Sequence, residues 1–417
     1  MKPEALGGSM PFRRVLPLLF LLLATLPAHA DVRVEGTRLL VDGKPFQAHG
    51  VAGWGNLDML PGLGVTTIRT YGDNAEDVLD EAQRLGLKVI LGFWLEHPRR
   101  GFDYDNPAHV GPQMARLREF VLAHRDHPAL LMWGIGNEVE SELADDSRVW
   151  PAIEEAARLV KSLDPHHPTL AVLAETGTDK VAKLKAQAPS IDVLGINSYG
   201  ESVPSVPARV RAQGWTGPLI LTELGAIGQW QAPKTEWGAA IEPTSTQKAT
   251  LLDKQLAAIG PDTAGQILFL WGWKQEVTHT WHSLLLPTGE WKQTTEIMAK
   301  AWDGNTPGGN RAPRITALAF AGTNSLPLGR EISARLEASD PDGDPLAVEW
   351  EIMEEQQTLL KAGDAEPELR RYPEAVRKAS KEAVTLGGLA PGAYRLYVTV
   401  RDGKGAAAAG NLPFRVE

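Results

Sequence analysis

Eight short apolar runs, each followed by an amphipathic stretch or a polar loop, constrain the fold of this 417-residue chain more than any other feature. Strand-like runs that alternate with helical patterns are typical of repeated βα units and of a parallel sheet. Apolar residues recur at helical spacing between the runs, as in 75–85, 111–124 and 150–163. We therefore predict a closed parallel barrel whose strands are 46–51, 66–70, 88–94, 130–136, 169–174, 193–197, 218–222 and 267–271.

Two glutamates follow the ends of two of these apolar runs. Glu138 follows the fourth run with Asn137 directly before it, and Glu223 follows the seventh run. They lie 85 residues apart, which is close to three units of a (β/α)8 TIM barrel, since such a barrel uses about 31 residues for each unit. Because the active-site residues of these barrels lie at the carboxyl ends of the strands, we expect both carboxylates on one rim. Two carboxylates facing a small cleft are what cleavage of a glycosidic bond requires.

The first 30 residues have the composition of a signal peptide. Arg13 and Arg14 precede an apolar run over 15–24, and Ala28-His29-Ala30 offers a small-residue cleavage site. The apolar run is shorter than the ~20 residues that a spanning helix needs, and no later segment supplies them. We predict cleavage after Ala30, no membrane anchor in the mature protein, and a secreted or periplasmic location. The chain has no Cys, so the compartment is inferred from this leader alone.

The composition divides the remaining chain into two domains. Residues 306–313 are rich in Pro and Gly, which favour neither helix nor strand. Of the 13 Trp residues, only Trp350 lies beyond this segment, so an aromatic surface for a substrate belongs to the first domain. We predict a barrel over 31–305, a linker over 306–313 and a β-rich domain over 314–417. A net charge of -10 disfavours a polyanionic partner such as nucleic acid.

The second domain carries the pattern of a small all-β sandwich. Residues 340–346 resemble the turn of immunoglobulin-like and cadherin-like modules of bacterial secreted enzymes, and 394–403 fit a later strand and turn of such a module. Asp340, Asp342 and Asp344 offer hard oxygen ligands for Ca2+. Asp is also frequent in turns, where its side chain caps the backbone, and we favour this interpretation of the three residues. We expect residues 367–383 to form an acidic helical insert.

The segment 125–138 resembles the acid/base segment of family 2 glycoside hydrolases, members of a large clan of retaining glycosidases built on a TIM barrel. In that clan an Asn-Glu pair ends strand four, where the glutamate protonates the leaving oxygen and the asparagine contacts the sugar 2-hydroxyl. The resemblance implies these roles for Glu138 and Asn137. Residues 222–226 resemble the segment of the clan that ends strand seven, which implies that Glu223 is the nucleophile.

Four further positions resemble the clan at the expected strand ends. Arg69 corresponds to the arginine that hydrogen-bonds the nucleophile, and His97 to a histidine that contacts substrate in many family 2 members. Tyr199 resembles the tyrosine that contacts the nucleophile. Trp271 resembles the tryptophan on which the bound sugar lies. A cation and a hydroxyl beside Glu223 favour its ionised form and hold it in one rotamer.

Other aromatic residues are candidates for sugar contacts, because the C–H faces of sugars pack against aromatic rings. We predict such contacts for Trp94, Trp273 and Trp281, and we consider Trp54, Trp230 and Trp237 as further candidates, with core packing as the alternative for each. The polar and aromatic segment 273–282 is expected to line the cleft. His279 and His282 have a usable metal spacing, but no carboxylate completes a ligand set, and we predict neither metal nor cofactor.

The resemblance implies hydrolysis of a β-linked oligo- or polysaccharide with retention of configuration. Glu138 must be protonated while Glu223 is ionised, and we expect the charge of Glu223 and apolar walls such as Trp133 and Trp271 to raise the pKa of Glu138. Two alternatives stay open. Residues 56–71 also resemble glucan-acting members of the clan, so the same residues fit a β-glucan transglycosylase, and a noncatalytic glycan-binding protein is the other alternative.

Overall fold

A computed structural model describes residues 31–53, 55–72, 75–356, 364 and 366–417. The predicted leader over 1–30, including its cleavage site, and Trp54 lie outside the described residues. None of the helices in the described part of the chain combines the length and the apolar character that crossing a bilayer requires.

A small antiparallel sheet precedes the barrel. Its three strands are β1 (Val32–Glu35), β2 (Arg38–Val41) and β3 (Lys44–Phe46), in the order β1-β2-β3. Val32 and Leu39 are buried in one apolar cluster with Ala48 and Val193, which begin two of the barrel strands. The sheet therefore covers the amino-terminal end of the barrel and leaves the carboxyl rim free.

Eight parallel strands close into a barrel, which confirms the predicted fold class. Each predicted run coincides with one strand, and the ends differ by at most two residues. The fourth and seventh strands of the ring, which carry the Glu138 and Glu223 segments, are three positions apart. The strands are β4 (Ala48–Gly53), β5 (Thr67–Arg69), β6 (Lys88–Phe93), β7 (Leu130–Ile135), β8 (Thr169–Ala174), β9 (Val193–Asn197), β10 (Leu219–Leu224) and β11 (Gly265–Trp271).

Helices cover the outside of this ring. Their apolar faces follow the helical period, as Val78, Leu79 and Ala82 show in the first helix. Asn106 caps the second helix, and Thr244 with Gln247 forms a capping box on the sixth. The α-helices are α1 (Ala75–Leu85), α2 (Pro107–His124), α3 (Val149–Leu163), α4 (Lys180–Gln187), α5 (Val206–Ala212), α6 (Ser245–Ala258) and α7 (Gln293–Ala301). The 3-10 helices are Leu57–Met59, Pro61–Leu63, Pro98–Arg100, Gly200–Ser205, Pro307–Gly309 and Pro373–Ala375.

The barrel strands are apolar on both faces. On β7, Met132 belongs to the cluster inside the barrel, whereas Trp133 packs in the layer between strands and helices. The Trp133 ring meets Phe120, and its Nε1 donates to Asp164 Oδ2 at 2.8 Å. The prediction that Trp133 forms an apolar wall beside Glu138 is therefore wrong, because successive side chains of a strand point to opposite faces.

Two four-stranded sheets follow the barrel and share one apolar core. The sheet orders are β12-β14-β17-β16 and β13-β19-β18-β15, with antiparallel pairing except between β13 and β19. The helical insert predicted over 367–383 is wrong, since this stretch contains a 3-10 helix, β16 and the start of β17. The strands are β12 (Arg314–Phe320), β13 (Ser325–Leu326), β14 (Ile332–Ser339), β15 (Ala347–Glu354), β16 (Val376–Ala379), β17 (Ala383–Leu386), β18 (Gly392–Arg401) and β19 (Ala407–Val416).

The Asp-rich turn between β14 and β15 brings three carboxylates within 4.8 Å of one another. Asp340 Oδ1 accepts the amides of Asp342 at 2.8 Å and Asp344 at 3.1 Å. Asp342 pairs with Arg311, and Asp344 pairs with Lys404. These contacts are those of a turn that is capped by its own Asp side chain and held by two cations.

Buried polar contacts attach the sandwich to the barrel. Arg395 on β18 donates to the Ala240 carbonyl at 2.8 Å and forms two hydrogen bonds to Glu355. Asn411 on β19 donates to Glu242 at 2.5 Å, and Glu242 also forms an ion pair with Lys248 of α6. The sandwich therefore lies against α6 and the segment that precedes it.

Candidate active site

Glu223 is held at the end of β10 by donors on both carboxylate oxygens. Oε1 accepts from Arg69 Nη1 at 3.0 Å and from the Tyr71 hydroxyl at 2.7 Å. Oε2 accepts from the Tyr199 hydroxyl at 2.5 Å. Three donors fix the rotamer of this side chain, which is 6% exposed.

Arg69 links Glu223 to the segment that carries Glu138. It is buried at the end of β5, and its Nη2 donates to Asn137 Oδ1 at 2.6 Å. The Arg69 guanidinium also lies over the Tyr71 ring, 4.5 Å from the centroid. Burial raises the pKa of both Tyr71 and Tyr199 well above the ordinary value, so both phenols remain donors. One arginine and two phenols therefore form a fixed frame around Glu223.

Glu138 follows β7 in a tight loop. Its φ is 52°, in the left-handed region, and its amide donates to the Val172 carbonyl at 2.9 Å. Asn197 Nδ2 donates to Glu138 Oε1 at 2.8 Å. Burial, followed by the negative charge of Glu223, raises the pKa of Glu138 to about 8, although the Asn197 hydrogen bond acts in the opposite direction. Glu138 is therefore protonated at neutral pH while Glu223 accepts three hydrogen bonds.

Asn137 and His97 lie beside this pair. Asn137 Oδ1 accepts from Arg69 and from Asn197 Nδ2, the latter at 3.1 Å. His97 is buried, contacts the Asn137 backbone and stacks on Trp94 with ring centroids 4.8 Å apart. Burial and the charges of Arg99 and Arg100 lower the pKa of His97 to about 4, so its imidazole is neutral.

Two predicted sugar contacts are packing residues in this structure. Trp281 is fully buried, and its Nε1 donates to the Ile227 carbonyl at 2.8 Å. Trp271 is 1% exposed, and its Nε1 donates to the Gly55 carbonyl at 2.6 Å. Their rings offer no open face, so the prediction for Trp281 is wrong, and Trp271 is a buried core residue that forms no accessible floor.

Three other tryptophans occupy different places. Trp94 is half-buried between His97 and the Arg100 guanidinium, which lies 5.4 Å from its ring centroid. Trp230 is 52% exposed and meets the Tyr199 ring edge-on, with centroids 5.7 Å apart. Trp273 is exposed but lines a groove between the barrel and the sandwich. Trp230 therefore presents the open aromatic surface nearest to the donors of Glu223 among these tryptophans.

Sequence reasoning did not assign Tyr71 and Asn197. Tyr71 lies two residues beyond Arg69, and residues two apart on an extended chain share a face. Asn197 is the last residue of β9 and is paired in register with Glu223 of β10. Both positions follow from the rule that strand ends build the rim, so this signal was present in the sequence.

The two histidines of segment 273–282 diverge. His279 stacks on Tyr397 of the sandwich, with centroids 4.8 Å apart. His282 packs against the Tyr199 ring, and its Nε2 lies 3.7 Å from Glu276 Oε1. Of the predicted cleft segment, His282 therefore lies next to the site, whereas His279 lies at the domain interface.

Two carboxyl groups on one rim are what glycoside hydrolysis uses. Residues 77–225 match the family model of glycosyl hydrolases family 2, TIM barrel domain. This segment extends from α1 to the end of β10 and includes both Glu138 and Glu223. This part of the chain is therefore similar to the TIM-barrel domain of glycosyl hydrolases family 2.

Curated relatives share this part of the barrel. Beta-glucuronidase of Homo sapiens is 30% identical over 189 residues, which cover 40% of this chain and 27% of that protein. Beta-galactosidase BoGH2A of Bacteroides ovatus is 25% identical over 199 residues, which cover 40% of this chain and 23% of that protein. The match thus spans about a quarter of the length of these relatives.

Solved structures are similar in fold. The beta-galacturonidase from Eisenbergiella tayi aligns with a TM-score of 0.53 and 19% identity, covering 66% of this chain and 54% of that chain. The putative beta-galactosidase from Bacteroides fragilis aligns with a TM-score of 0.51 and 14% identity, covering 93% of this chain and 57% of that chain.

Proposed function

We propose that this protein is a retaining β-glycosidase that hydrolyses O-glycosidic bonds of a β-linked glycan. One observation carries the proposal. Glu223 receives donors on both oxygens, while burial and the charge of Glu223 raise the pKa of Glu138 to about 8. Glu138 thus has the proton that a general acid needs, and Glu223 is held in one position as a nucleophile must be.

In the first step, Glu138 gives its proton to the glycosidic oxygen while Glu223 attacks the anomeric carbon. The bond between the anomeric carbon and the leaving oxygen breaks, the leaving group departs as an alcohol, and a glycosyl ester forms on Glu223. In the second step, the Glu138 carboxylate takes a proton from water, whose oxygen attacks the anomeric carbon and releases Glu223. Two displacements at one carbon restore the original configuration.

The neighbouring residues have supporting roles in this proposal. Arg69, Tyr71 and Tyr199 hold Glu223 in line with the anomeric carbon and stabilise its charge when it leaves the sugar. In this proposal Asn137 and the neutral His97 contact the hydroxyls of the sugar, and the exposed Trp230 ring stacks on a sugar ring, which its 52% exposure beside Tyr199 supports.

The experiment is an NMR assay on a panel of aryl β-glycosides, which includes β-glucosides, β-galactosides and β-glucuronides because relatives bear the names of such enzymes. We expect the β-anomer of the sugar to be released first and to mutarotate later. First release of the α-anomer contradicts the proposal. Oligosaccharide products that are longer than the substrate show that the protein is a transglycosylase instead. If the parent and Glu223→Ala bind a glycan equally well and neither cleaves it, the protein is a noncatalytic binding protein.

We further propose that the protein is secreted or periplasmic and that the sandwich is an immunoglobulin-like module. The leader-like composition of residues 1–30 supports export, and the two sheets with a shared core support the module. The intact mass of exported protein tests the first point. We expect exported protein whose chain begins at Asp31, whereas protein that is found only in the cytoplasm contradicts export.

A further inference from the structure

A groove of about 580 Å³ separates the barrel from the sandwich. One wall is the segment after β11, which contributes Trp273, Lys274 and His279. The other wall is the sheet that contains β15 and β18, which contributes Glu351 and Tyr397. Its volume lies in the range of ~300 to 1,000 Å³ that is usual for ligand sites. None of these residues belongs to the frame around Glu223.

Two aromatic residues give the groove the character of a sugar site. Trp273 is 47% exposed and lines the groove. Tyr397 is 4% exposed, and its hydroxyl finds no hydrogen-bond partner within the described ranges. The Tyr397 ring stacks on His279, so the hydroxyl is held in position. A buried hydroxyl without a partner costs free energy, and a ligand that hydrogen-bonds it recovers that cost.

The charged residues of the groove nearly balance. Arg371 pairs with Glu351 at 2.6 Å, and Arg401 pairs with Glu349 at 2.7 Å. In all, the lining has four carboxylates and three cations, namely Glu349, Glu351, Glu366, Glu368, Lys274, Arg371 and Arg401. A lining that has both acceptors and donors, without an excess of positive charge, suits a neutral, hydroxyl-rich ligand better than a polyanion.

A short series of contacts connects the groove to the catalytic frame. The Tyr199 ring, whose hydroxyl binds Glu223, packs against His282 at 5.2 Å. His282 lies 3.7 Å from Glu276, and Glu276 pairs at 3.1 Å with Lys274, which lines the groove. The groove therefore begins a few side chains away from Glu223, on the β11 side of the rim.

We propose that this groove binds sugar residues of a neutral β-linked glycan chain outside the catalytic cleft, with Trp273 as the stacking surface and the Tyr397 hydroxyl as a hydrogen-bonding group. This inference rests on the proposed glycosidase function of the barrel. Its consequence is a preference for oligosaccharides over single-sugar glycosides, because only a chain reaches both the frame around Glu223 and the groove.

The test uses the full chain and a ladder of β-1,3- and β-1,4-linked gluco-oligosaccharides of increasing length. Calorimetric titration in the Glu223→Gln background, which blocks turnover, measures binding. We expect Trp273→Ala to weaken binding of the longest oligosaccharide about tenfold, and Tyr397→Phe to weaken it about threefold, since stacking and one hydrogen bond have these magnitudes. In the active protein the same changes raise KM for long substrates and leave turnover of aryl glycosides unchanged.

Leu328→Ala is the matched control, because Leu328 is an exposed apolar residue of the sandwich outside the groove. It is expected to bind every probe like the parent. Unaltered binding in both groove variants overturns the inference, and tighter binding of a uronic acid oligosaccharide than of the neutral ladder overturns the choice of ligand. If the parent cleaves no glycoside but Trp273→Ala still loses oligosaccharide binding, the groove stands and the proposed function fails.

Discussion

At the scale of single residues, Glu138 and Glu223 have the same side chain but different partners. Glu223 accepts hydrogen bonds from a guanidinium and two phenols, which hold its carboxyl group in one position. Glu138 accepts one hydrogen bond from an amide and faces the charge of Glu223, which favours the acid. The raised pKa of Glu138 and the fixed position of Glu223 therefore follow from side chains on or directly after four strands of one rim, β5, β7, β9 and β10.

The pH dependence of activity tests this difference directly. Burial and the charge of Glu223 raise the pKa of Glu138 to about 8, so the acid form is present below that pH and is lost as pH rises through it. We expect kcat/KM for an aryl glycoside to fall on the alkaline side with a midpoint near pH 8. Glu138→Gln removes this limb for a substrate whose leaving group needs no proton. If the alkaline fall in kcat/KM persists in that variant, it is due to the titration of another group.

The two phenols beside Glu223 provide the second prediction at this scale. Removal of one donor from a developing or departing charge costs about 10²-fold to 10³-fold in rate when the site is buried. We expect Tyr71→Phe and Tyr199→Phe each to lower kcat/KM by at least tenfold, with melting temperatures close to that of the parent. Tyr372→Phe, a change in the sandwich away from Glu223, serves as the control. Full activity in Tyr71→Phe shows that its hydrogen bond has no catalytic role.

Single residues differ in how far the sequence predicts them. Arg69, Asn137 and Tyr199 were named from a family resemblance, and the structure brings all three to the two glutamates. The tryptophans were harder to place, because a Trp after a strand has the same local pattern whether its ring turns to a cleft, a core or a second domain. Burial of Trp281 and exposure of Trp273 depend on residues far away in sequence, so local pattern does not predict them.

At the scale of elements, the loop after β7 decides where Glu138 points. Gly136 has a φ of 72°, and a Cβ there lies 2.6 Å from Val139 Cγ2 and 3.3 Å from Leu95 Cβ. Glu138 itself has a positive φ. Within three consecutive residues, two have a left-handed backbone conformation, so the chain turns sharply. This turn carries the Glu138 carboxyl group onto the rim.

Gly136→Ala should therefore affect both stability and activity. The strained backbone and the close contacts are expected to lower the free energy of unfolding by about 1 to 3 kcal/mol. The displaced loop is also expected to lower kcat/KM, and the measurements are thermal melting and steady-state kinetics. Gly111→Ala on the exposed face of α2 is the matched control, because a Cβ there meets nothing within 4 Å. An equal effect of the two changes contradicts this explanation of the loop.

The sequence predicts buried elements better than exposed ones. The barrel strands are short and buried, most of them are largely apolar, and their regular alternation with helical patterns predicts all eight. The edge strand β16 is mostly exposed and charged, so it lacks the alternation that identifies a half-buried strand. Its composition resembles that of a solvated helix, which explains why the helix predicted over 367–383 was wrong.

At the scale of the whole molecule, the barrel and the sandwich share a buried ionic network. Glu242 accepts from Lys248, Thr278, Thr280 and Asn411, so it connects α6, the segment after β11 and the sandwich. Burial by itself raises the pKa of Glu242, but the charge of Lys248 and these hydrogen bonds outweigh it and lower the pKa to about 2. The sequence indicated two domains but not this interface, whose members lie up to 169 residues apart.

The network predicts how stability depends on pH. Because the pKa of Glu242 falls from 4.5 to about 2 on folding, its contribution is present above pH 4.5 and is lost as pH falls toward 2. Glu242→Gln leaves the Lys248 ammonium without its counter-ion. We expect it to lower the free energy of unfolding by about 3 to 5 kcal/mol at pH 7, and by less at pH 3, as measured by urea denaturation.

Asp253→Asn is the control for this prediction. It breaks the exposed pair with Lys300, whose side chain is 72% exposed, and a pair of that kind contributes less than about 1 kcal/mol. A Glu242→Gln protein as stable as Asp253→Asn at pH 7 contradicts a stabilising role of the interface network.

The most direct test of the central claim is covalent trapping on Glu223. An activated 2-deoxy-2-fluoro β-glycoside of the sugar that the aryl panel selects slows the second displacement more than the first, so a glycosyl-enzyme accumulates. We expect intact mass to rise by one fluorosugar and peptide mapping to place it on Glu223, with no adduct in Glu223→Gln. An adduct on another residue of the active parent protein, or turnover that leaves Glu223 unlabelled, contradicts the account.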